Sequence, residues 1–240
     1  MTTAHADVVG SLLRPPHLLH AQKQLADGSL SPERFRQIED RAVDEAIALQ
    51  EEVGLQIVTD GEMRRQSFQS QMTAAVTGFG EFSLDAFLWG KWYDERGVRK
   101  KRRPRRLGAV EKLKRLRYLS ADEFSYLKEK TSRIPKVTLP SPGLWANFWS
   151  RDRSKIAYPT LDAFLADIVC ILREEVAELA RLGATYIQID APHYGLLLDP
   201  QTRVFYESLG WSLDRWLSLG IELDNAVMAG FPDVTFGFHV

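Results

Sequence analysis

The chain carries one cysteine in 240 residues, Cys170, which excludes a disulfide framework and any zinc cage built of cysteines alone. It lacks an apolar run near the roughly 18–20 residues that cross a bilayer. Its opening residues, MTTAHADVVG, show neither the basic nor the apolar stretch of a signal peptide. Charge of one sign is missing as well: 31 Lys and Arg against 32 Asp and Glu leave −1, so bulk electrostatics favour neither nucleic acid nor acidic partners. The P-loop, a G-x-G-x-x-G after a strand, H-E-x-x-H and G-x-S-x-G are all absent. These absences leave a reduced, membrane-free chain, expected to be cytoplasmic and long enough for one large core.

What is present is an alternation of strands and helices. Val8–Leu13 is a short apolar run that reads as a strand, stopped by Arg14-Pro15-Pro16. Ser31 followed by Pro32 reads as a helix start, and Phe35, Ile38, Ala42, Ala46, Leu49 and Val53 form one apolar stripe that ends at Gly54. A strand over 55–59 then runs into Asp60-Gly61-Glu62-Met63-Arg64-Arg65. A strand over 136–139 ends in Pro140-Ser141-Pro142-Gly143. Thr160 caps a helix whose stripe is Leu161, Phe164, Ile168, Leu172, Val176 and Leu179, closed by Gly183. Cys170 lies within that helix and reads as a small core residue. A strand over 185–189 ends at Asp190-Ala191-Pro192-His193, helical material follows over 202–229 with breaks near Gly210 and Gly220, and a last strand covers 234–239. His5, His17 and His20 show no metal-ligand spacing and read as surface or structural residues.

Strands alternating with helices imply parallel βαβ units. In such folds the C-terminal strand ends share one face, where ligand sites form. Asp60, Glu62, Ser141, Asp190, His193 and His239 all fall just after expected strands, so separate segments deliver carboxylates and imidazoles to one rim. The interval 79–133 breaks the alternation. It holds Phe79, Phe82, Phe87, Trp89, Trp92 and Tyr93, and its residues 99–106 read Arg-Lys-Lys-Arg-Arg-Pro-Arg-Arg. It reads as a solvated aromatic and basic insertion, because the rest of the chain carries the compensating acids.

Four segments occur in order, each at a strand end: Val9-Gly10-Ser11-Leu12-Leu13-Arg14-Pro15, Thr59-Asp60-Gly61-Glu62-Met63-Arg64-Arg65, Tyr186-Ile187-Gln188-Ile189-Asp190-Ala191-Pro192, and Phe238-His239-Val240. Together they resemble the cobalamin-independent methionine synthase family, its C-terminal catalytic barrel and its shorter single-barrel relatives. The resemblance implies an α/β fold of the (β/α)8 TIM-barrel type. About five of the eight β/α units are expected within residues 1–240, as though the chain stopped after the fifth strand, with the insertion at 79–133. It implies transfer of a methyl group from a methyl-folate to a zinc-bound, homocysteine-like thiol in methionine biosynthesis. Ser11, Glu62, Asp190 and His193 would line the substrate pocket, with Glu62 and Asp190 matching the carboxylates that hold the substrate ammonium. His239 would be a zinc ligand, the first of a His-x-Cys pair, with the remaining ligands expected beyond Val240. Ala191 stands where the family has an acid, which with His193 favours a changed acceptor. Two alternatives follow: a zinc-dependent thiol alkyltransferase of the coenzyme M type, or a catalytically incomplete binding fragment. Five strands of eight would leave open sheet edges, to be covered by an oligomer or a completing chain.

Overall fold

A computed structural model describes residues 6–66, 70–81, 92–93, 99–100 and 107–240. In chain order the elements are α1 (Pro16–Ala26), α2 (Pro32–Glu52), β1 (Ile57–Val58), α3 (Ser70–Ala75), β2 (Val76–Glu81), β3 (Trp92–Tyr93), β4 (Arg99–Lys100), β5 (Leu107–Arg115), α4 (Ala121–Lys130), β6 (Ile134–Pro140), α5 (Pro142–Trp145), α6 (Leu161–Arg181), β7 (Tyr186–Asp190), α7 (His193–Leu196), α8 (Pro200–Ser208), α9 (Leu213–Met228) and β8 (Thr235–His239). The four strands β1, β6, β7 and β8 form one parallel sheet in that order. The sheet's strands thus follow one another in chain order, each crossover carrying at least one helix and the β1–β6 crossover also holding β2 to β5.

The side-chain period of two along the strands separates the sheet's faces. Val137, Leu139, Ile187 and Ile189 are buried in a core shared with Phe164, Leu165, Ile168, Leu172 and Val176 of α6. Their neighbours Lys136, Thr138, Gln188 and Asp190 point to the opposite face, and all four are buried. The register pairs Lys136 with Tyr186, Thr138 with Gln188, and Asp190 with His239. A second core packs Leu18 of α1 and Ala42, Val43, Ala46 and Ile47 of α2 over Val58 and Met63. The two long helices match their sequence signals: Ser31 accepts from the Arg34 amide at 3.2 Å, and Thr160 from the Ala163 amide at 3.2 Å.

Four sequence expectations need correction. Val8–Leu13 is not a strand. Its carbonyls are taken by side chains from the sheet's polar face: Lys136 Nζ donates to Val8 O, Gln188 Nε2 to Val9 O at 2.6 Å and Thr59 Oγ1 to Gly10 O at 2.8 Å. Leu12 N to Gly61 O, 3.0 Å, is the backbone bond recorded for this segment. The sheet among the described residues therefore has four strands rather than five. Gly220 does not break a helix. It sits inside α9, where an added Cβ would lie 3.0 Å from the Tyr194 hydroxyl, so the position is kept small by packing. Cys170 is exposed. At about 100° per residue it lies about 200° round from both Ile168 and Leu172, on the helix's outer face.

The interval 79–133 holds more than an insertion. Phe79 in β2 stacks on Trp145 with ring centroids 6.2 Å apart, and β2 pairs antiparallel with β5. Residues 121–130 form α4, which packs on β6, α2 and α6 as a crossover helix. Phe82, Phe87, Trp89 and the basic residues 101–106 lie outside the described residues.

Candidate functional site

The site is built where β1 ends. Residues 59–65 form a tight turn in which Gly61 and Glu62 both adopt left-handed backbone, φ +67° and +53°. A left-handed Glu is uncommon and costs about 1–3 kcal/mol unless its surroundings fix it. They do: the Glu62 amide donates to Asp60 Oδ1 at 2.9 Å, the Gly61 amide to Thr59 Oγ1 at 3.1 Å, and Arg14 Nη2 to Glu62 O at 3.2 Å. The turn throws the Glu62 side chain inward, where it is 2% exposed. There Thr138 Oγ1 donates to Oε1 at 2.6 Å and Ser11 Oγ donates to Oε2. Gly10 is required by this approach, since an added Cβ would stand 2.7 Å from Glu62 Oε1.

Arg65, three residues further along the same turn, is the cation of the cluster. It is buried and donates to Glu123 Oε2 (2.9 Å), Thr138 Oγ1 (2.9 Å), Ser120 Oγ (3.1 Å), Thr138 O (3.2 Å) and Glu62 Oε1 (3.3 Å). Burial works against its charge, but Glu123, Glu62 and Asp60 outweigh burial and hold it more firmly protonated. Asp60 goes the other way. Burial, reinforced by Glu123 and opposed by Arg65, pushes its carboxyl up to about 6, and its Oδ2 is buried without a partner.

Asp190 ends β7 beside this cluster. Gln188 Nε2 donates to its Oδ1 at 2.6 Å, and His239 Nδ1, at the end of β8, lies 3.2 Å from the same oxygen. No described residue donates to Oδ2. Burial raises the Asp190 carboxyl; Gln188 and His239 pull it down, while Glu62 pushes it further up. Two carboxylates buried side by side call for a cation, and the nearby guanidinium of Arg65 is already committed to Glu123 and Glu62.

Of the sequence-derived candidates, Ser11, Glu62, Asp190 and His239 thus meet on one face. His193 does not join them. It is fully buried, tilted against Tyr194 with centroids 4.2 Å apart, and neither ring nitrogen has a hydrogen-bond partner among the described residues. Burial lowers its pKa to about 3, so it is a neutral imidazole. Its Nε2 would lie 2.3 Å from a Cβ added at Gly143. Ser141 at the end of β6 donates to Asp224 Oδ1 at 2.6 Å, and Tyr194 donates to Asp224 Oδ2 at 2.8 Å. Arg65, Glu123 and Asp224 were not singled out by sequence. Arg65 sits in a run of two arginines, and the other two lie on helices among ordinary surface-type acids.

A zinc site does not assemble from these residues. No group of three or more His, Cys, Asp or Glu among the described residues could hold a metal. His239 has Asp190 as its neighbour, and Cys170 is on the outer face of α6.

A buried carboxylate pair and an imidazole thus gather at the C-terminal ends of β1, β7 and β8, the edge of a parallel α/β sheet where ligand sites form. Residues 1–217 match the family model described as the catalytic domain of cobalamin-independent synthase. The chain belongs to that family. It is 32% identical over 186 residues to a methionine synthase of Pyrococcus abyssi, covering 77% of this chain and 51% of the relative. It is 28% identical over 214 residues to a 5-methyltetrahydropteroyltriglutamate–homocysteine methyltransferase of Thermosynechococcus vestitus, covering 89% of this chain and 26% of that protein. A solved structure of a putative vitamin-B12-independent methionine synthase from Listeria monocytogenes superposes with TM-score 0.72 at 20% identity, over 98% of this chain and 64% of that one. The likeness extends to the fold, and the chain spans only part of the length of each of these relatives. No described helix is long and apolar enough to cross a membrane.

Proposed function

We propose that this chain supplies the amino-acid pocket of a methyltransferase of the cobalamin-independent methionine synthase type, acting on a homocysteine-like thiol with a methyl-folate donor. Glu62 and Asp190 would share the substrate ammonium, with Ser11, which donates to Glu62 and is exposed, as the group the ligand meets first. The observation that carries this reading is electrostatic. Asp60, Glu62, Glu123 and Asp190 are buried together, and Arg65 is the cation that hydrogen-bonds within this group. A ligand ammonium would relieve the remaining negative charge by charge-assisted hydrogen bonds. The thiol chemistry of the family depends on zinc, whose ligands this chain would have to complete from outside the described residues. The cytoplasm is the compartment we propose, in keeping with a reduced cysteine.

The test is titration of homocysteine into the purified protein, followed by a methyl-transfer assay and zinc analysis of the same sample. Saturable binding supports the pocket. Methionine formation with bound zinc supports the methyltransferase, whereas binding without zinc or turnover supports a binding fragment. Absence of homocysteine binding overturns the proposal. A coenzyme M type acceptor is the second reading, favoured by Ala191 in place of the family's acid, and it predicts better binding of a simple thiol than of homocysteine.

A further inference from the structure

The fold gives a role to residues that the sequence leaves as surface. Helices α1 and α2 form an antiparallel pair, and a cavity of about 310 Å³ opens between them. Its polar lining is His17, His20 and Gln24 from α1 and Arg34, Gln37 and Arg41 from α2. The spacing explains the convergence. Positions 17, 20 and 24 lie three and four apart on one face of α1, and 34, 37 and 41 repeat that spacing on α2. Six polar side chains, none of them acidic, thus face one concavity, away from the carboxylate cluster at the end of β1.

The acids nearby do not fill it. Glu45 Oε1 accepts from Arg41 Nε at 2.8 Å, and its Oε2 stands 3.8 Å from His17 Nε2, too far for a hydrogen bond. That nitrogen is shielded from solvent and has no hydrogen-bond partner among the described residues. Asp27, which faces His20 electrostatically, accepts from the Ser29 amide and hydroxyl. Arg34 donates to Gln37 Oε1 at 2.6 Å and has no carboxylate partner among the described residues. Two carboxylates, Glu45 and Asp27, therefore stand against two guanidiniums and two imidazoles, leaving a surplus of hydrogen-bond donors.

We propose that this groove binds a phosphoryl group, either as inorganic phosphate or on a small phosphate ester. The argument is geometric. The donors come from two helices and converge from several directions, which suits a tetrahedral dianion better than a planar carboxylate read by a single guanidinium fork. The inference is independent of the methyltransferase reading, because no residue is shared between the two sites.

The test uses the five histidines of the chain. Imidazole resonances are followed by NMR while inorganic phosphate, then glycerol 3-phosphate, is added, with sodium chloride at matched ionic strength as the control. His17 and His20 should shift saturably with either phosphate, while buried His193 stays fixed. Tighter binding of the ester would assign the organic phosphate as the natural source, and equal or tighter binding of phosphate the free ion. Arg34→Gln and Arg41→Gln should each weaken binding by roughly tenfold, the loss expected for a hydrogen bond to a charged group. Both arginines are exposed, so folding should be retained, and the unmoved His193 resonance reports this. Shifts that fail to saturate, that match those with chloride, or that persist unchanged in both variants would overturn the proposal.

Discussion

Replacing Arg65 by Met tests whether the buried charge cluster is held by a single cation. Methionine keeps much of the apolar stem and removes the guanidinium. Five hydrogen bonds between 2.9 and 3.3 Å disappear, and Glu62, Glu123 and Asp60 lose their shared counter-charge. Removing one partner of a buried ion pair typically costs about 3–5 kcal/mol. Against a domain stability of about 5–15 kcal/mol, that is about a fifth or more of the total. The cost should depend on pH with a definite sign. In the variant Asp60, already pushed up to about 6, loses the guanidinium that opposes that rise, so the folded protein holds a proton that the unfolded chain has released. Stability is then lost as pH rises through that raised value and is recovered as pH falls. Urea unfolding followed by tryptophan fluorescence at about pH 8 and about pH 5 measures this. The expected penalty is about 3–5 kcal/mol at the higher pH and clearly smaller at the lower. A penalty under about 1 kcal/mol at pH 8, or one equal at both pH values, would refute the single-cation picture.

Two further substitutions probe the neighbouring turn and the His193 site. Asp60 titrates at about 6 in the folded protein against a usual 3.8, so wild-type stability should decline as pH rises from about 4 to about 6. Asp60→Asn keeps an acceptor for the Glu62 amide and should flatten that decline; an unchanged slope would show that Asp60 does not carry it. Gly143→Ala places a Cβ 2.3 Å from His193 Nε2 and should cost about 1–3 kcal/mol in thermal or urea unfolding, most of it relieved by adding His193→Ala. A cost within about 0.5 kcal/mol for the single variant would show that α5 and α7 separate freely.

Much of this architecture is legible in the sequence, and the exceptions share a cause. The stripes of α2 and α6, with Ser31 and Thr160 as caps, are local signals, and local hydrogen bonds fix them. Strand ends at Thr59, Pro140, Asp190 and His239 are legible because apolar runs stop there in favour of polar residues. Val8–Leu13 has the apolar run of a strand but not its hydrogen bonding, because Lys136, Gln188 and Thr59 reach its carbonyls from distant positions. No local pattern encodes that. Cys170 shows how a helical phase error of two residues exchanges core for solvent. Arg65 and Glu123 escaped notice for the same non-local reason: they lie 58 residues apart and become a buried pair only when α4 packs over the turn after β1. Glu62, Asp190 and His239 are legible because each ends or follows a strand, and parallel topology gathers such positions on one face; Ser11 is legible only through the family resemblance. His193 also follows a strand, yet its side chain turns into the aromatic packing around Tyr206 and Trp216.

The central claim is that Glu62 and Asp190 recognise the ammonium of an amino-acid thiol. The direct measurement compares calorimetric binding of homocysteine with that of 4-mercaptobutyrate, the same thiol without its amine, to wild type, Glu62→Gln and Asp190→Asn. Each variant should weaken homocysteine binding by roughly ten- to a hundredfold, the range for lost hydrogen bonds to a charged group. Binding of 4-mercaptobutyrate should change by less than about threefold. Equal losses for the two thiols would contradict the account.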